Sequence, residues 1–341
     1  MNKKEDILKA KLRKELYAQQ SGYVNLNKIP HLKEEHYYIT DIPLDGDAPK
    51  QYIKAYYNYK NCPRRNEHRN WHGFFAKFGR KSYPHESVIE FIINKAGEEL
   101  NLLINKTQLV RVGGQVRFLS QDFLSKNQKL IHGIEIIGEY FEDVEFAKEI
   151  DQDRKERRKY LTFELIETAI THVYPKNFSE ILDDLVKLIV FDAIIGNNDR
   201  HYYNWGLIGY VRKSNLESPT FSPIYDTARA LLWNFTDEKI ESTYAQYKNG
   251  SNQLESFIKK SKPRISTESN PDANHFDLVH FLFNYNNNYK EVIVNLINDE
   301  NRKKVIDCLN KYCTLYFSDT RKSLILALIN KRFDYLENAI L

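Results

Sequence analysis

The chain has little of what marks several functional classes at a glance. It holds only three cysteines, Cys62, Cys308 and Cys313, with no paired metal-ligand spacing. That excludes a disulfide framework and a cysteine-built zinc site, and it fits reduced thiols; Cys308 and Cys313, five apart in an apolar helical segment, read as core residues. No run approaches the roughly 18 apolar residues of a membrane span. The first residues, "MNKKEDILKAKLRKELYAQQ", lack the apolar core of a secretory leader. The expectation is a cytoplasmic chain without a membrane span, leaving secretion as an effector only to a route without a signal. Charge of one sign is scarce too: 50 Lys and Arg face 46 Asp and Glu, and the net +4 is spread along the chain. A specific nucleic-acid binder would concentrate basic charge on one face. There is no Gly-x-Ser-x-Gly, so a serine hydrolase of that type is excluded. His68, His72, His85 and His132 lack metal spacing and read as surface or packing residues. Internal repeats and low-complexity tracts are absent.

What is present has two textures. At 341 residues, 42% apolar and 28% charged, the chain has ample material for a core and for two lobes. From about 37 to 123 it runs as short alternating segments, "HYYITDI", "KQYIKAYYNY", "GFFAKFG" and "TQLVRVGGQVRFLSQDF", with Gly113 and Gly114 as a hairpin signal. One helix interrupts them, "YPHESVIEFIINKAGEELNL", with Pro84 in its first turn and an apolar stripe of Val88, Ile92 and Ala96. From about 160 onward the pattern is mainly helical, apart from a β-like island of "WGLIGYV" and "TFSPIYD". The charged run 151–160 reads as a solvated helix start or linker, and 213–219 and 260–274 as loops. Ile7, Leu8, Leu12 and Leu16 suggest a docking helix with a solvated face. The layout is therefore α+β: an N-terminal helical extension (1–36), a β-rich lobe with one helix (37–124) and a larger helical lobe (125–341).

The polar cluster "GNNDRHYYN" at the end of the most apolar helix, 182–195, is where chemistry is expected. Burying so many hydrogen-bonding groups is costly unless they pair or act. Asp199 and Asn204 are five apart, the interval between the protein-kinase Asp that accepts a hydroxyl proton and the Asn that binds Mg²⁺. A neutral amide holds Mg²⁺ too weakly alone, and Asp226 supplies a carboxylate after two predicted strands. Upstream, Lys77 in "GFFAKFG" occupies a strand, and the next helix offers Glu90 as its partner, with Glu86 one turn earlier as the rival. The order Lys77, Glu90, hinge-like "RFLSQDF", Asp199, Asn204, Asp226 is that of a two-lobed protein-kinase-like fold.

Over "LIVFDAIIGNNDRHYYNWGLI" and "FSPIYDTARAL" the chain resembles the HipA-like bacterial serine/threonine kinases, closest in character to their short Helicobacter cell-translocating type. The resemblance is close over about 187–232, looser over 72–124 and faint elsewhere. It implies Asp199 as catalytic base, Asn204 and Asp226 as Mg²⁺ ligands, Lys77 on the phosphates of ATP, and a hinge at about 119–123 whose Gln121 and Phe123 face the adenine. It also implies a protein substrate, with an antitoxin or a host target protein as partner, and autophosphorylation. Two departures stand out. Too few residues precede the β-rich lobe for the additional N-terminal module of the HipA-type toxins. The glycine-rich phosphate loop is only approximated, by "LDGDAPKQYIKAY" with Gly46 and Lys50, where Asp45 and Asp47 would repel phosphate; "KNCPRRNEHRNW" at 60–71 is a second candidate.

Other readings stay open. Phosphoinositide kinases also carry an Asp-Arg-His-x-x-Asn run, so a lipid or small-molecule hydroxyl is an alternative acceptor. A non-catalytic nucleotide-binding pseudokinase is another. His201 either shuttles a proton or braces the loop, and Arg200 either meets a phosphate or holds the loop through a carboxylate. Trp205 and Trp233 read as core aromatics near the site.

Overall fold

A computed structural model describes residues 22–40, 50–56, 66–77, 85–112, 114–211 and 218–341. The predicted docking helix at 7–16, Pro84, Gly46 and the first six residues of each candidate phosphate loop lie outside the described residues. Residues 22–36 carry two short 3₁₀ turns, Leu26–Lys28 and Glu34–His36.

The alternating segments become β1 (Tyr37–Ile39), β2 (Lys50–Ala55), β3 (His72–Lys77), β4 (Thr107–Val112) and β5 (Gln115–Gln121). They form one antiparallel sheet in the order β1-β2-β3-β5-β4. The β4–β5 hairpin turns at Gly114, which sits at φ +91°, a conformation that costs glycine nothing. Because successive side chains leave opposite faces, Phe74, Ala76, Val110, Val112 and Leu119 share one small core with Leu32 and Ile53. Leu109, Val116 and Phe118 face the other way, onto helix α1 (Glu86–Glu99). Lys77 lies opposite Phe118 in register and so leaves the sheet on that same face.

Helix α1 is apolar beyond its predicted stripe. Val88, Ile92 and Ala96 are at most 1% exposed, and so are Ile89 and Ile93. The reason is that α1 lies between β4 and β5 on one side and α11 (Asp299–Tyr316) of the second lobe on the other. Each such aliphatic side chain contributes roughly 1.5–3 kcal/mol by leaving water. Cys308 and Cys313 are buried on α11, where burial pushes both thiols up to about 12.

Residues 122–125 lead into β6 (Gln128–His132), which pairs with β7 (Gly206–Tyr210), itself paired with β8 (Thr220–Phe221). The strand β6 has no signal of its own in the sequence. Its apolar residues merge with those of α2 (Gly133–Phe141), and a short apolar run beside a helix has no separable period. The charged run 151–160 is helical, at the end of α3 (Val144–Gln152) and in α4 (Arg154–Tyr160). Then follow α5 (Phe163–Val173), α6 (Phe178–Ile195), α7 (Asp237–Lys248), α8 (Gln253–Lys259), α9 (His275–Tyr285), α10 (Asn287–Leu296), α11 and α12 (Asp319–Ala339). Every residue of α6 from Leu188 to Ile195 is buried, because α5, α9, α10 and α12 all pack against it. Among the described residues, no helix is long and apolar enough to cross a membrane.

Candidate active site

Helix α6 delivers the polar cluster. It stops at Gly196, whose φ of +76° opens a sharp exit, and the N–H groups of Gly196 and Asn197 both donate to the Asp192 carbonyl at 2.8 and 3.0 Å. The Asp192 carboxylate, buried in the last turn, accepts from Arg200 Nε (2.8 Å) and Nη2 (3.0 Å) and from Asn197 Nδ2 (2.9 Å). Arg200 Nη1 donates to the carbonyls of Asn204 and Tyr225, each at 2.6 Å. One guanidinium thus ties the helix end, the loop and the residue before Asp226 together, as its planar fork of donors allows. The carboxylate reading of Arg200 is the one realised. His201 braces the loop, its Nδ1 accepting the Tyr203 N–H at 3.2 Å.

Asn204 donates through Nδ2 to the Asp199 carbonyl at 2.8 Å, which orients its amide oxygen away from that carbonyl. Asp226 stands at φ +57°, a left-handed conformation that aspartate tolerates better than most residues. The segment before it is anchored to the first lobe: Ile224 donates to the Leu103 carbonyl at 2.7 Å and forms a parallel bridge with Ile104. Just beyond, Thr227 Oγ1 donates to Asn94 of α1 at 3.1 Å.

Lys77 closes the arrangement. Its Nζ donates to Glu90 Oε1 and to Asp226 Oδ1, both at 2.8 Å, across 13 and 149 residues of sequence. Burial alone would lower the lysine's pKa, but the two carboxylates more than offset it and hold Nζ protonated. Burial pushes Glu90 upward, to about 7, against the pull of Lys77. Asp226 goes the other way: burial would raise it, yet Lys77 and Arg200 bring it down to about 2, so it stays ionised. Of the two rivals on α1, Glu90 meets the lysine, and Glu86 faces Arg229 Nε at 3.7 Å.

Asp199 has partners that the sequence did not suggest. Its Oδ1 accepts from Arg264 Nη2 at 2.8 Å, and Arg229 Nε stands 4.0 Å from Oδ2. Arg229 also stacks on Trp233, its guanidinium carbon 4.0 Å from a ring centroid. Trp233 is therefore a half-buried platform at the rim of the cleft, while Trp205 is a core residue at 1% exposure. Arg229 lies three residues beyond Asp226 and could have been suspected from that spacing. Arg264 sits in a loop without periodicity, 65 residues from its partner.

On the sheet side of the cleft, Lys50 begins β2 directly opposite Lys77, so both side chains leave one face. Gln121 ends β5, with Nε2 3.4 Å from His72 Nδ1. Phe123 packs on Tyr225 with ring centroids 6.1 Å apart. Between them Asp122 accepts from Tyr52 Oη at 2.8 Å and from the Leu124 N–H at 3.1 Å, which pins the connection between lobes to the sheet. His132 packs behind the site, 3.4 Å from Tyr225 Oη, and His85 is buried against Phe317.

The donor set around the cleft suits a hard cation. Asp226 is an ionised carboxylate with Oδ2 left over from its lysine contact, and Asn204 offers an oriented amide oxygen. No group of three or more His, Cys, Asp or Glu side chains that could hold a metal exists among the described residues. Two oxygen ligands fit Mg²⁺, which keeps several waters and is completed by phosphates, better than a transition metal.

Residues 43–279, well over half of the chain, match the family described as HipA-like C-terminal domain. The chain belongs to this family. The HipA-like fold is matched in turn by the crystal structure of a Helicobacter pylori proinflammatory kinase, CtkA. The match covers 91% of this chain and 99% of that one at 16% identity, with a TM-score of 0.66. At that identity the likeness is one of fold, and it identifies the sheet-plus-helix unit and the helical unit as the two lobes of a kinase-like architecture. HipA of Shewanella oneidensis MR-1, in complex with HipB and operator DNA, is a more distant match: 13% identity, 89% of this chain, 68% of that chain and a TM-score of 0.39. No curated protein matches the sequence.

Proposed function

We propose that this HipA-like protein is an ATP- and Mg²⁺-dependent kinase that transfers the γ-phosphoryl group to Ser or Thr hydroxyls of a protein, itself included. The observation that carries the reading is the convergence of Lys77, Glu90 and Asp226 at hydrogen-bond distance from three separate stretches of chain, beside a loop holding Asp199 and Asn204.

In this reading Lys77, positioned by Glu90, contacts the phosphates of the substrate nucleotide. Asn204 and Asp226 would hold the cation, which supplies charge neutralisation on the transferring phosphoryl oxygens. Asp199 orients the acceptor hydroxyl and takes its proton; Arg264 and Arg229 hold its carboxylate in place. Such catalysis is chiefly positioning and charge stabilisation. Kinship with the kinase CtkA supports the reaction class, and a protein partner, an antitoxin or host target, belongs to the same proposal.

The test is phosphotransfer from labelled ATP with Mg²⁺ to the protein itself, to generic protein substrates and to phosphoinositide vesicles. Asp199→Asn should abolish transfer while leaving nucleotide affinity within about twofold, since the base touches the acceptor. Transfer at near wild-type rate in that variant would overturn the assignment. Label appearing only in lipid would replace the protein acceptor with a lipid one.

A further inference from the structure

Beside Asn198, the neighbour of Asp199 in the loop that follows α6, lies a cavity of about 80 Å³. It is lined by the end of α6, residues 229–234, α8 and α12. That volume holds several waters or one compact polyatomic ion. Its polar lining comprises Asn198, Arg229, Asn234, Ser261 and Arg332, and it contains two guanidinium groups and no carboxylate.

Arg332 is the decisive residue. It is 1% exposed, and its Nε donates to the Ala193 carbonyl at 2.7 Å, which caps the C-terminal end of α6. That contact uses one corner of the fork. Nη2 is buried and finds no acceptor; the guanidinium lies over the face of Phe276 at 5.1 Å and close enough to His275 to act on it. Burial lowers the guanidinium pKa to about 9, and no carboxylate compensates. A buried charge left unpaired is costly. The negative end of the α6 dipole favours a cation there, yet it leaves Nη2 without an acceptor.

The wall across from Arg332 is strained as well. Leu231 and Leu232 both have positive φ, +49° and +61°, a conformation that side-chain-bearing residues adopt at a cost and that clusters at ligand clamps. Asn198 presents a donor end, since its Oδ1 already accepts from Ser261 Oγ at 2.6 Å and faces His275 Nε2 at 3.4 Å.

We infer that this cavity binds a tetrahedral oxyanion of the phosphate class, held by Arg332 and Arg229 with the Asn198 amide as a further donor. The ion would meet the Arg332 guanidinium at the cavity wall and fill a space lined by two guanidinium groups. The source is either free inorganic phosphate or a phosphate monoester on a side chain; both present the same oxygens. Arg229 spans the cavity and the Asp199 carboxylate, so occupancy is communicated to the loop through one side chain. The inference stands on the cavity and does not depend on the kinase reading.

Thermal unfolding of the full chain tests it, in inorganic phosphate against chloride at equal ionic strength. Phosphate should raise the wild-type Tm by about 2–5 °C. The Lys77→Ala variant should show the same rise, which separates this cavity from the nucleotide cleft. Arg332→Met should lose the response, as should Arg229→Gln, whose partly exposed side chain can be replaced without disturbing the core. A parallel arm with O-phospho-L-serine distinguishes the sources: a larger shift than phosphate at equal concentration identifies the monoester. No phosphate response in the wild type, or an undiminished response in both arginine variants, would overturn the site.

Discussion

Arg264 and Asp199 form a hydrogen-bonded ion pair at 2.8 Å, between a loop near residue 264 and the loop that ends α6. Arg264 is 32% exposed and Asp199 28%, so the pair contributes to orientation more than to stability. Arg264→Ala should therefore lower turnover about tenfold, a loss of roughly 1.4 kcal/mol of transition-state positioning. Nucleotide affinity and Tm should stay unchanged. Steady-state kinetics with calorimetry on the same preparation checks this; a fall in Tm with unchanged turnover would assign Arg264 to the scaffold.

Lys77→Ala leaves Glu90 and Asp226 facing one cavity without the cation that separates them. Phosphotransfer should fall by at least a hundredfold, and the fold should survive, because Lys77 points into the cleft and not into either core. Asp226→Asn should remove the Mg²⁺ dependence of nucleotide binding. Calorimetric titration of MgATP and of ATP with chelator reads both effects.

Asp192 and Arg200 are 4% and 2% exposed in their side chains and share two hydrogen bonds. Asp192→Asn keeps the shape and removes the charge, so a buried guanidinium loses its partner, at a cost of about 3–5 kcal/mol. Urea denaturation should register it as a lower midpoint. The double variant Asp192→Leu with Arg200→Met should recover much of that stability yet stay inactive, since the Asn204 and Tyr225 carbonyls lose their common donor.

Acid sensitivity follows from His275 and His85, each 1% exposed. Burial, reinforced by Arg332, holds His275 well below its ordinary 6.5; burial and Arg321 lower His85 to about 4. Below pH 6.5 the unfolded chain takes up protons that the native histidines refuse, so stability is full above that pH and is lost as pH falls. The slope is about 1.4 kcal/mol per pH unit for each histidine. Glu90, raised to about 7, works in the opposite direction between pH 4.5 and 7 and offsets one of the two. Denaturation midpoints from pH 8 to 5 should fall, and His275→Gln should remove one proton's worth of that slope.

The parts of the site that were legible in advance share one property: chemistry sets both their residue type and a short spacing. Asp199 and Asn204 are five apart because one loop must present both, and Asp226 follows two strands that return the chain. Lys77 could be placed because alternation in "GFFAKFG" gives a face. The sequence names Glu90 ahead of Glu86 without a period to separate them, since both lie on one helical face; the position of β3 against α1 gives the lysine to Glu90. Arg264 was invisible, because an ion pair across 65 residues of loop leaves no periodic trace. Strand β6 was hidden by the apolar helix that follows it. The second apolar face of α1 was masked as well, because a stripe in the sequence does not reveal whether a second layer will cover its neighbours.

That second layer has a consequence for control. In kinases whose Lys–Glu pair is made and broken, the glutamate's helix swings outward to switch the enzyme off. Here α1 is wedged between the sheet and α11, with Asn94 latched to Thr227 one residue past Asp226. Swinging α1 would expose Ile89, Ile93 and the face of α11 together, at roughly 1.5–3 kcal/mol for each side chain brought into water. The alignment of Lys77 with Glu90 is thus a fixed part of the architecture, set when the chain folds.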